Sequence, residues 1–166
     1  MSLYYLDTSA LVKYYVLEPG STFVRGLVDD ISNTISISDA SIAESAAAFA
    51  ILFRTHRISR RTQESAFHAL MRDVARSSLK AMPLITIDFQ LAAYLTQQHP
   101  LKAYDAVQLA VALRHNQVLA ARGLATTFVS GDDMLIKAAQ AEGLLTDNPF
   151  DHVSPQDTPR ANRTTL

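Results

Sequence analysis

The sequence contains no cysteine. That absence excludes a disulfide framework, a thiolate zinc site and a catalytic cysteine together. Net charge is nearly absent too: 15 Lys and Arg against 16 Asp and Glu leave −1 at pH 7. Bulk charge therefore gives no grip on nucleic acid, and such binding needs a local patch or bound cations. Long apolar runs are missing. The longest, Ala46 to Phe53, falls far short of the ~20 residues that cross a bilayer. The opening Met-Ser-Leu-Tyr-Tyr-Leu-Asp has no basic region and carries an acid at position 7, unlike a secretory signal. The expectation is a soluble, cytoplasmic protein with no membrane partner. What is present suits one domain: 166 residues, 48% hydrophobic and 19% charged, neither disordered nor collagen-like.

Short apolar runs alternate with longer helical patterns. Leu3–Leu6, Thr34–Ile37, Leu84–Ile87 and Thr126–Val129 have strand composition, with Leu144–Thr146 as a weaker fifth. Helices are expected over Ala10–Leu17, Ser21–Asp30, Asp39–Arg54, a stretch capped by Ser59, another capped by Asp88, Tyr104–Arg122 and Asp132–Glu142. Gly123 and Gly143 stand where left-handed caps end the last two. Strands alternating with helices imply an α/β fold with a mostly parallel four- or five-stranded sheet covered on both faces. Residues 1–149 are read as the domain and 150–166 as a polar tail that frays.

In open α/β sheets functional groups gather beyond the carboxyl ends of the strands. Acids fall there repeatedly. Asp7 follows the first run, Asp39 the second, Asp88 the third, and Asp132 and Asp133 the fourth. Glu44 lies on the helix after the second run, and Asp105 opens the long helix. Clustered carboxylates repel one another unless a hard cation such as Mg²⁺ or Mn²⁺ joins them, and such a cation suits phosphate chemistry. Capping explains an acid after a strand equally well for Asp7 and better for Asp39 and Asp88. Ser41-x-x-Glu44 matches a capping box, yet Glu44 sits among Ile42, Ala43, Ala46 and Ala47 with few charges to pair with.

Four motifs carry a resemblance. Leu6-Asp7-Thr8-Ser9-Ala10-Leu11-Val12-Lys13, Ala43-Glu44, Tyr104-Asp105-Ala106-Val107-Gln108-Leu109-Ala110 and Phe128-Val129-Ser130-Gly131-Asp132-Asp133-Met134-Leu135 resemble, in order and spacing, those of PIN-domain nucleases. Asn148-Pro149 resembles the family's ending, so the match spans about residues 3 to 149. The resemblance implies a three-layer α/β/α PIN-like fold and a Mg²⁺ or Mn²⁺ site. Asp7 and Asp105 would be the main ligands and Glu44 and Asp132 would complete the site, with Ser9 in support. Of the neighbouring acids 132 and 133, Asp132 is favoured. Gln108 stands where many relatives carry His.

Small members of this kind resemble VapC-type toxins: endoribonucleases, usually homodimers, silenced by a cognate antitoxin. The implied activity is hydrolysis of RNA phosphodiesters with the cation as cofactor. Lys13, Arg54, Arg57, Arg60 and Arg61 are candidates for positioning RNA, although a solvated hairpin tip explains the run from 54 to 61 as well. The five histidines show no ligand spacing. The alternatives are a catalytically silent PIN-like module binding RNA or protein, and a free-standing PIN nuclease without antitoxin. A phosphatase using Asp7 as nucleophile would want a second acid two residues on, where Ser9 stands.

Overall fold

Apolar side chains on both sides of each central strand require helices on both faces of one sheet. The computed structural model describes residues 2–158. Its first half runs β1 (Leu3–Leu6), α1 (Thr8–Tyr15), α2 (Ser21–Asp29), β2 (Thr34–Ser38), α3 (Asp39–Arg54) and α4 (Arg60–Ala75). The second runs β3 (Lys80–Met82), α5 (Thr86–Gln98), α6 (Ala103–Ala120), β4 (Thr127–Val129), α7 (Asp133–Ala141) and β5 (Leu145–Asp147). The strands pair in the order β3-β2-β1-β4-β5, all parallel.

Strand alternation splits the core in two. Tyr5 and Phe128, stacked at 5.7 Å, meet Leu95, Leu109 and Leu135 of α5, α6 and α7 on one face. Leu6, Ile37 and Val129 meet Leu11, Phe49 and Leu70 of α1, α3 and α4 on the other. This is the expected three-layer α/β/α arrangement. From β1 the chain steps outward through β2 to β3, and later fills the opposite side with β4 and β5. The reversal leaves a crevice between the carboxyl ends of β1 and β4. No described helix is long and apolar enough to cross a membrane.

The third strand lies earlier than the apolar pattern places it. Lys80–Met82 pairs with Ser36–Ser38, and Pro83 ends the strand. The β-branched stretch Ile85-Thr86-Ile87 instead enters α5. Asp88 drives this, because its Oδ2 accepts the Ile85 N–H at 2.9 Å from inside the first turn. Asp88 is buried and held twice by Arg114, at 2.6 and 3.1 Å, so it is structural. Asp39 is exposed at the start of α3, whose cap is Ser38, not Ser41. Glu44 therefore belongs to no capping box.

The expected frayed tail is ordered through its first half. Short 3₁₀ turns form at Pro149–His152 and Pro155–Asp157. Asp157, 2% exposed, accepts N–H groups of Gly20 and Thr22 and the Thr22 hydroxyl at 2.9, 2.7 and 2.7 Å. Burial alone would raise its carboxyl, but bonds from Ser154, Thr22 and Gly20 prevail and hold it well below the usual carboxylate range. His152 stacks on Phe23 at 4.0 Å. A polar composition hides this docking, because one buried carboxylate rather than an apolar stripe makes it. The remainder of the tail, 159–166, lies outside the described residues.

Gly20 permits the close approach. Its φ is +87°, and a Cβ there would lie 2.5 Å from the Pro149 carbonyl oxygen. Gly20→Ala is expected to lower stability by about 2 kcal/mol or more in urea unfolding, combining left-handed strain with that clash. Gly26→Ala, inside α2 with no atom within 4 Å, is expected to be neutral or stabilising by ~0.5–1 kcal/mol.

Candidate active site

The crevice is a cavity of about 730 Å³, and Asp7, Glu44, Asp105, Asp132 and Asp133 all line it. Each arrives on a different footing. Asp7 is the N-cap of α1, its Oδ1 accepting the Ala10 N–H at 3.0 Å and the Ser9 hydroxyl at 2.8 Å. Capping and site placement thus coincide in one residue. Glu44 stands on α3, where its Oε2 accepts the Thr8 hydroxyl at 2.5 Å and the Gln108 amide at 2.6 Å. Asp105 is in the first turn of α6. Asp132 caps α7, its Oδ1 accepting the N–H groups of Met134 and Leu135 at 2.8 and 3.1 Å. Asp133 Oδ1 accepts the Asn148 amide at 2.9 Å.

Ser9 ties the two sides of the crevice together. Besides donating to Asp7, it accepts the Gly131 N–H at 2.7 Å, and its oxygen lies 3.4 Å from that of Ser130. A single hydroxyl therefore joins the turn after β1 to the turn after β4.

Electrostatics show what the acids lack. Burial pushes the Asp7 carboxyl up to about 6, although bonds from Ala10, Ser9 and Ser130 oppose the shift. Burial also raises Asp105, followed by the charge of Asp132 and, after the opposing effect of Lys102, that of Glu44. Among the described residues none of Asp7, Glu44, Asp105 and Asp132 makes an ion pair. A hard divalent cation fits this donor set, which is all carboxylate oxygen with no sulfur or imidazole. Among the described residues no three acids form a ready-made cage.

Of the five basic candidates only Lys13 and Arg57 line the cavity. They converge on one carboxylate, Glu18, at 3.6 and 3.1 Å. Arg60 pairs with Glu64 and covers the Phe53 ring, and Arg61 lines a separate cleft with Tyr14, Arg25 and Arg72. Arg54 is exposed in the last turn of α3 and is not part of the cavity wall.

A family model for the PIN domain matches residues 4–143. The chain belongs to the PIN domain family. Solved structures share the fold at low identity. PAE2754 from Pyrobaculum aerophilum is 17% identical with a TM-score of 0.58, covering 87% of this chain and 83% of its own. VapBC2 from Rickettsia felis, bound to a DNA fragment from their promoter, is 18% identical with a TM-score of 0.57, covering 88% and 98%. FitAcB from Neisseria gonorrhoeae is 18% identical with a TM-score of 0.55, covering 90% and 99%. A search of curated protein sequences gave no match.

Sequence analysis noted the residue at the centre of this PIN domain's polar network only as a departure from relatives and gave it no role. Gln108, 2% exposed, accepts the hydroxyls of Tyr5, Ser38 and Ser41 at 3.2, 3.0 and 3.2 Å. Its amide donates to Glu44, Ser41 and Thr8 at 2.6, 2.9 and 3.1 Å. The signal was a lone amide in Ala-Val-Gln-Leu-Ala, which no helix buries without partners. Glu18 and Phe150, also in the wall, carry no such signal.

The raised Asp7 value predicts how metal-free protein responds to pH. Its neutral form is favoured in the fold, so that contribution is complete below its ordinary value of 3.8 and is lost as pH rises through about 6. In a chelator, stability is expected to drop by roughly 2–3 kcal/mol across that window, from a shift of about two pK units. Asp7→Asn is expected to flatten the drop, which urea titrations at stepped pH would measure.

Proposed function

We propose that this PIN domain is a metal-dependent endoribonuclease, the toxin of a toxin–antitoxin pair. The observation that carries the reading is the convergence of Asp7, Glu44, Asp105 and Asp132 from four separate elements on one cavity. Mg²⁺ or Mn²⁺ held there supplies positive charge for a phosphodiester and lowers the pKa of an attacking water. No side-chain nucleophile is required.

The chain's own residues supply the orientation. Asp7 and Asp105 are the proposed main ligands, with Glu44 and Asp132 completing the set. The bonds to Glu44 fall on Oε2 and those to Asp132 on Oδ1, so each carboxylate keeps its second oxygen for a ligand. Thr8 and Gln108 fix the Glu44 rotamer, and Ser9 fixes Asp7. Lys13 and Arg57 line the same cavity and are proposed to hold flanking phosphates of RNA.

An antitoxin partner, a homodimeric state and a cytoplasmic site of action complete the proposal. The PIN family assignment and the shared fold with VapBC2 and FitAcB support the partner.

The test is cleavage of a panel of structured and single-stranded RNAs with Mg²⁺, Mn²⁺ or EDTA. Wild type is expected to cut only with metal. Asp7→Asn and Asp105→Asn are each expected to lose on the order of 100-fold or more. Full metal-dependent cutting by a folded Asp7→Asn protein would sink the mechanism. No cutting by folded wild type, with metal bound by titration, would favour a silent binding module.

A further inference from the structure

Phe150 lies beyond the stretch matched by the family model, residues 4–143, yet it lines the same cavity as Asp7, Asp105 and Asp132. Its backbone is pinned from both sides. Asn148 accepts the Phe150 N–H at 3.0 Å and donates to Asp133 at 2.9 Å, so one amide links the ring's position to the acidic wall. Downstream, the stacking of His152 on Phe23 and the bonds of Asp157 to Gly20 and Thr22 lock the segment onto α2. That anchoring is heavy for a ring that remains 47% exposed.

The ring's surroundings are cationic. Lys13 Nζ lies 4.1 Å from its centroid, and Lys13 is itself only 4% exposed. A Cβ on Gly131 would come within 3.1 Å of the ring edge, so the backbone beside Asp132 touches it closely. Arg57 reaches the same wall, and Glu18 bridges the two cations. Beside the acidic floor there is thus an aromatic platform with Lys13 against its ring and Arg57 in the same cavity wall. Bases stack on such rings whatever their sequence, and cations beside them take the phosphates, but only an unpaired base offers its face.

We propose that Phe150, with Lys13 and Arg57, forms a subsite for one unpaired nucleotide of single-stranded RNA next to the cleaved phosphate: the base stacks on Phe150 and the phosphate pairs with the two cations. This rests on the ribonuclease reading above. It assigns to the segment after the matched domain a direct part in choosing single-stranded substrate. Glu18, already bound to both cations, holds them in place until a phosphate competes for them.

Binding rather than turnover tests it. A fluorescein-labelled single-stranded oligoadenylate and its abasic counterpart of equal length and charge are titrated with full-length protein. Anisotropy is read in Ca²⁺, with a gel confirming that the probe stays intact. Phe150→Leu keeps an apolar side chain against Lys13 and Gly131 but removes the π-face. It is expected to weaken oligoadenylate binding roughly five- to tenfold and leave the abasic strand unchanged. Phe150→Trp is expected to bind oligoadenylate at least as tightly as wild type. Arg57→Ala is expected to weaken both strands alike and reduce the salt dependence. Equal oligoadenylate binding by wild type and Phe150→Leu overturns the inference, as does an equal loss on both strands. Failure of wild type to bind either strand removes the RNA reading itself, and the inference with it.

Discussion

Parallel pairing of β1 with β4 is the contact on which the site depends. The Asp7 N–H donates to the Val129 carbonyl at 3.1 Å, extending the ladder past the end of β1. That single register sets the turn holding Asp7 and Ser9 against the turn holding Ser130, Gly131 and Asp132. The Ser9 hydroxyl then closes the seam. Slipping the pairing by one residue would turn Tyr5, Leu6, Phe128 and Val129 to the wrong faces, so both apolar cores enforce the register of the polar site.

Around that seam the protein buries polar groups and satisfies them locally. Tyr5, Ser38 and Ser41 would each be costly to bury alone, and Gln108 gathers all three while its amide holds Glu44 and Thr8. An amide suits the position because it offers acceptor and donor at once without adding charge to an acidic cavity. The carboxylates follow another rule: hydrogen bonds fix where they sit, but among the described residues none of the four forms an ion pair. Burial raises both Asp7 and Asp105, and at Asp105 the charges of Asp132 and Glu44 add to it. The proposed divalent cation would offset that repulsion.

Much of the fold was legible because its periodicities are strong. Short apolar runs of strand composition at Leu3–Leu6 and Thr126–Val129, and the Ala-rich helix before Arg54, identified the sheet and its cover. Misreading began where local chemistry overrode composition. Ile85-Thr86-Ile87 has strand residues, but the Asp88 carboxylate bonds back to Ile85 and starts a helix. The segment after Asn148 is polar, yet Asp157 finds three donors at the start of α2 and docks it. For the basic run, charge along the chain was visible, but the direction of each side chain was not. Arg57 turns to the cavity, Arg60 to Glu64 and Arg61 to a different cleft.

The sequence by itself determined the α/β class, the family resemblance and a set of four candidate acids, because apolar periodicity and short motifs are properties of neighbouring residues. Only tertiary structure decided which acids share a cavity. Asp7, Glu44, Asp105 and Asp132 meet there, whereas Asp39 and Asp88, equally placed after apolar runs, do not. It alone put Gln108 at the hub, Glu18 between Lys13 and Arg57, and Phe150 in the wall. These contacts join residues far apart in the chain. Strand order, helix rotation and the docking of a polar segment set them, and no local pattern encodes all three.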